Sequence, residues 1–114
     1  MNPDSLVHLF HILIVGSLFL YVGIERTNIP SFMFPLLLGL GVIVILYHMF
    51  KVYTYMKQGR GYWVNLIHIL LVGPLLVYIG YTGIDTSRKF FEILLMLGMA
   101  AIGYHGYYLV KSLL

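Results

Sequence analysis

The chain has 114 residues, 61% of them hydrophobic and only 10% charged, with a formal net charge of +3 and no cysteine. Soluble domains carry roughly 25% charged residues, and a chain this short buries too little surface to hide so many apolar side chains from water. The composition fits a lipid bilayer as solvent, and it excludes disulfides, thiolate metal sites, iron–sulfur clusters and cysteine nucleophiles.

The positive charge is small and dispersed, so it offers no footprint for nucleic acid. No Gly-rich phosphate loop, HExxH or GxSxG motif is present, which leaves enzymatic activity undecided and leans against it. Its first residues, Asn2-Pro3-Asp4-Ser5, lack the basic region of a secretory signal. They read instead as a helix start, with Asn2 as cap, Pro3 in the first helical position and Asp4 in the first turn. The first apolar segment is therefore expected to remain in the mature protein.

Four apolar runs follow, over residues 4–24, 32–56, 62–82 and 88–113. Each is long enough to cross about 30 Å of hydrocarbon as a helix. The first connection, residues 25–31, contains the breakers Asn28, Pro30 and Ser31. The second, residues 57–61, is short and glycine-rich, and the third, residues 82–89, offers Asp85, Thr86 and Ser87 as caps. Short connections join antiparallel neighbours. The expected fold is an all-α transmembrane four-helix bundle, up-down-up-down, forming one domain over residues 1–114. Pro74 falls inside the third run and predicts a kink there.

The chain also repeats itself. HILIVGSLFLYVG at 11–23 returns as HILLVGPLLVYIG at 68–80, and Tyr47-His48 returns as Tyr104-His105. Residues 5–57 align on 62–114 without a gap, and the identities include Gly16/Gly73, Gly23/Gly80 and Gly41/Gly98. Each repeat has an even number of crossings, so both face the same way, and a pseudo-two-fold axis along the membrane normal is expected. Gly16 and Gly23 form a close-packing surface on the first helix.

The repeated histidines are the only residues that point toward chemistry. His11 and His68 lie about two turns into their helices, and His48 and His105 about two turns from the ends of theirs, so the rise per residue puts all four in one layer on the order of 10 Å below the face carrying the termini. Histidine facing lipid is costly, so these four are expected to face the bundle. The plainest reading is a packing role, with His11 and His68 hydrogen-bonded to Tyr47, Tyr104 or backbone carbonyls. His8, whose counterpart is Asn65, reads as a packing residue near the interface.

Neutral imidazole also ligates haem iron, zinc and copper. Histidines on facing helices can hold a haem, here haem b, or a zinc or copper ion. Gly41 and Gly98 would leave room for a flat ring, and Lys51, His8, Asn65 and Lys111 could meet propionates near the water side. Such histidines set within apolar helices resemble the pattern of four-helix b-type cytochromes, a likeness that carries no residue-by-residue correspondence. It implies electron transfer with a redox partner or a second copy of the chain. A histidine-gated proton or ion path is a second reading, but Val15, Leu18, Val22, Leu37, Val72, Leu75 and Ile79 offer no polar group for a water wire. A structural or assembly role is the third. Lys51, Lys57, Arg60 and Lys111 on the terminal face outnumber Arg26, Arg88 and Lys89 on the other, which favours termini in the cytoplasm.

Overall fold

A computed structural model describes residues 2–114, and among them every regular element is helical. Four helices are long and apolar enough to cross a membrane: α1 (Pro3–Asn28), α2 (Met33–Lys57), α3 (Trp63–Asp85) and α4 (Arg88–Leu113). They form two compact pairs, α1 with α4 and α2 with α3. Each pair joins a helix from one sequence repeat to a helix from the other. Large apolar side chains point outward, among them Leu70 at 73% exposed and Ile43 and Phe50 at 63% each. A soluble monomer could not sustain that much exposed apolar surface.

The start of α1 is built as its sequence predicts: the Asn2 side chain accepts a hydrogen bond from the Ser5 amide at 2.8 Å, and Pro3 leads the first turn. The start of α4 differs from expectation. Ser87 occupies the cap position with extended backbone but makes no side-chain cap bond. Thr86 is buried and turns back, bonding the Thr82 hydroxyl and the Ile79 carbonyl at the end of α3.

Helices α1 and α3 share an irregularity. Each widens into a π-helical segment, His11–Gly16 in the first and His68–Val72 in the second. Pro74 lies two residues beyond the segment in α3, but Ser17 holds the same place in α1, so proline is not the common cause. Glycine sits at the end of both wide turns. A Cβ on Gly16 would lie 3.2 Å from the His11 carbonyl and 2.6 Å from Ile102, and one on Gly73 would lie 3.0 Å from the His68 carbonyl and 2.3 Å from Ile45. The missing side chain admits both the widened turn and the facing helix.

Within each pair the helices run antiparallel. In the α2/α3 pair, Gly73 faces Ile45, Gly41 faces Val77 and Gly80 faces Leu38. In the α1/α4 pair, Gly16 faces Ile102, Gly98 faces Leu20 and Gly23 faces Leu95. Each contact in one pair thus joins residues 57 positions from those of a contact in the other. Buried apolar side chains fill in around these glycines: Leu37, Leu76 and Ile79 in one pair, and Val22, Phe91 and Leu94 in the other. In hydrocarbon, burial of such side chains gives no hydrophobic gain between helices, so close backbone packing carries the association.

One contrast in the glycines tests that statement. A Cβ on Gly80 would lie 2.5 Å from the Leu38 amide and 2.6 Å from the Phe34 carbonyl, both backbone atoms that cannot rotate away, whereas Gly39 has nothing within 4 Å. Gly80→Ala is expected to cost about 1–3 kcal/mol as overpacking, and Gly39→Ala to stabilise by about 0.5–1 kcal/mol through helix propensity. Unfolding in mixed micelles, followed by circular dichroism, measures both.

The helix ends supply a second contrast. α1 closes on Arg26 at φ 55°, ψ −125°, and α3 closes on Gly83 at φ 57°, ψ −128°. Glycine adopts that conformation without strain and arginine does not. Such a position costs a non-glycine residue about 1–3 kcal/mol, so Arg26→Gly is expected to raise the unfolding midpoint in the same assay and Gly83→Arg to lower it.

Candidate histidine site

Close packing brings one histidine from each helix of a pair face to face. In the α1/α4 pair, the rings of His11 and His105 stack with centroids 4.2 Å apart and planes at 21°. In the α2/α3 pair, His48 and His68 stack at 4.0 Å and 15°. His105 is buried, and the other three are half-buried. All four sequence-predicted histidines therefore enter pairs, and each pair lies at one level within its own two helices.

The hydrogen bonds fix the chemistry of the rings. His11 Nδ1 donates to the Val7 carbonyl at 2.8 Å, and His68 Nδ1 donates to the Val64 carbonyl at 2.7 Å. A carbonyl only accepts, so each neutral ring carries its proton on Nδ1, and Nε2 is the basic nitrogen. Both histidines stand at the first residue of a π segment. π-bulges concentrate at functional positions because they re-aim a side chain without ending the helix.

The partners on the opposing helices are residues outside the predicted four. His48 Nδ1 donates to Asn65 Oδ1 at 2.7 Å, and His105 Nδ1 bonds His8 Nδ1 at 2.8 Å, one nitrogen donating and the other accepting. His8 is a hydrogen-bonded packing residue, as its sequence reading has it, but its partner and that of Asn65 are rings of the histidine pairs. The signal was present in the spacing: His8 and Asn65 each lie three residues before His11 or His68, on the same helix face. Asn65 is buried, consistent with a committed acceptor.

The aromatic neighbours are also local. Tyr47 meets His48 edge-on at 5.2 Å, and Tyr104 meets His105 at 5.0 Å. His11 and His68 take the backbone-carbonyl form of the packing expectation through Nδ1. The space beside Gly41 and Gly98, expected to admit a flat ring, is filled on the Cβ side by the facing helix: Gly73 and Val77 press on Gly41, and Phe19 and Leu20 press on Gly98. Lys51 lies over the Tyr47 and Tyr55 rings at 5.7 and 5.6 Å, and Lys111 over the Tyr107 ring at 6.0 Å.

These contacts bear on ligation. An iron held between two axial imidazoles, at metal–nitrogen bonds of about 2 Å, keeps the ring centres about 6 Å apart and end-on. Rings stacked face to face at 4.0–4.2 Å cannot both serve one iron in that way. Among the described residues, no group of three or more His, Asp or Glu side chains is placed to hold a bare metal ion.

The hydrogen bonds make a direct prediction. Nitrogen-15 spectra of labelled protein at neutral pH are expected to show His11 and His68 as the Nδ1–H tautomer. Asn65→Leu removes the acceptor of the His48 Nδ1 proton and is expected to destabilise by about 1–3 kcal/mol, whereas Asn65→Asp keeps an acceptor there and costs less. In comparisons with known proteins the chain matches no family model, no curated protein and no solved structure.

Proposed function

We propose that the chain is a multi-pass membrane protein, built from a duplicated helix pair with its termini in the cytoplasm, that presents histidine nitrogens to haem b for electron transfer. The observation that carries the reading is the Nδ1 commitment of His11 and His68 to backbone carbonyls. Metal-ligating histidines characteristically donate their other ring N–H to a carbonyl or carboxylate, which orients the ring and raises the basicity of the ligating nitrogen. Asn65 gives His48 the same support.

Haem suits this arrangement better than a bare zinc or copper ion. A porphyrin supplies four in-plane nitrogens, so the protein need provide only one or two, whereas an all-protein cage needs three or four. When bound, haem supplies one-electron chemistry at its iron. The chain's own part is to aim Nε2, to hold the ring rigid by stacking, and to exclude water with apolar helices. In this reading one ring of each stacked pair is the ligand and the other its support. His11 and His68, with both carbonyl-fixed tautomers and π-segment placement, are the ligands of choice.

The excess of cations at the terminal face supports the cytoplasmic orientation, and the bilayer is the first partner. Electron exchange further requires a redox partner or a second copy of the chain.

Protein purified from membranes supplied with haem is expected to show a Soret band at roughly 400–430 nm. His11→Ala with His68→Ala should abolish it, while His48→Ala with His105→Ala should shift or weaken it, and all variants should keep their helical content. Wild-type protein that carries neither haem nor stoichiometric metal sinks the reading.

A further inference from the structure

We infer that Arg26 is an anchoring site for the phosphate of an anionic phospholipid, on the membrane face opposite the histidines. Four observations lead there. The first is place. α1 runs from Pro3 to Glu25 before its closing turn, which at 1.5 Å per residue is about 35 Å, longer than the roughly 30 Å of hydrocarbon. Arg26 therefore stands at the depth of lipid phosphates. It lies fifteen residues beyond His11, about 20 Å along the helix, so it serves no group held by the histidine pair.

The second is backbone. Arg26 holds a positive-φ conformation that Gly83 holds at the matching end of α3. The turn itself asks for glycine, so folding does not explain the arginine. Residues kept in strained conformations mark positions where something other than fold stability selects the side chain.

The third is the absence of a protein partner. Arg26 Nε is buried and makes no hydrogen bond to any described residue. The carboxylate of Glu92 is held by Arg88 at 2.7 Å, and no ion pair joins Arg26 to a carboxylate among the described residues. Arg26 as a whole is half-buried and a guanidinium cannot shed its charge, so with Nε enclosed by protein an external anion would meet the side chain at its Nη end.

The fourth is chemistry. The guanidinium is a rigid fork of donors that matches phosphate better than any other ligand available at a bilayer surface. The phosphate diester of an acidic lipid brings both the anion and, through its acyl chains, contact with the outward apolar side chains Tyr21 and Ile24 that precede Arg26 on α1.

The test measures thermal unfolding in detergent micelles titrated with phosphatidylglycerol, with inorganic phosphate as a separate arm. Wild-type protein is expected to gain several degrees with the lipid and nothing with phosphate. Arg26→Gln keeps the backbone strain but removes the charge, and is expected to lose most of the gain. Arg26→Gly should start from a higher midpoint in detergent alone and also lose the gain. Arg88→Gln and Lys89→Gln should keep it. The inference is overturned if Arg26→Gln retains the full lipid effect. It also falls if Lys89→Gln loses as much as Arg26→Gln, which would mean diffuse surface charge, or if inorganic phosphate reproduces the gain.

Discussion

Backbone contact at glycine is the constraint on which the molecule depends. In hydrocarbon two helices gain nothing by hiding leucine from lipid, because lipid is as apolar as leucine. They gain by approaching closely enough for their backbones to touch. Gly80 lies against the backbone of Leu38 and Phe34, and Gly23 against that of Leu95. Those contacts set the helix separation, and the separation sets what happens about three turns away. Rings projecting from α1 and α4, or from α2 and α3, reach one another only because the backbones are this near. Stacked imidazoles at 4.0 and 4.2 Å are a consequence of where the glycines fall.

That dependence explains which features the sequence disclosed. Four apolar runs of spanning length are a composition signal, and α1 to α4 follow them to within a few residues. Gly16 and Gly23 announce a packed face by their spacing, and both are buried against α4. The four histidines stand out because they are polar groups in a greasy stretch. What the sequence could not disclose is pairing. Residues 5–57 align on 62–114 in sequence, but α1 packs on α4 and α2 on α3. A repeat records which residues correspond, not which ones touch. The π segments were invisible for a related reason: they arise from a glycine that yields to a facing helix, and the facing residue is 86 positions away for Gly16.

His8 and Asn65 show the same limit at the scale of one side chain. Read singly, a histidine near a membrane edge and an asparagine one turn inside a helix are ordinary polar residues at an interface. Their meaning comes from the ring that reaches them from the opposite helix, His105 in one case and His48 in the other. Spacing three residues ahead of His11 and His68 was the available clue, and it acquires force only when the facing helix is known.

Matched positions that differ are therefore more informative than matched positions that agree. Gly16 and Gly73 agree because the same close approach is needed in both pairs. His8 and Asn65 differ, yet each bonds the Nδ1 of its facing histidine at 2.7–2.8 Å. The geometry asks for a hydrogen-bond partner and is indifferent to which one. Only in the α1/α4 pair is that partner itself an imidazole, so the two pairs share a shape but not a chemistry. Arg26 and Gly83 differ in the opposite sense, since the geometry favours glycine and one of the two helix ends carries arginine regardless. In both cases the backbone geometry is shared by the matched positions, and the side chain is the remainder. That remainder is where function has to be sought in a fold whose architecture needs so few polar groups.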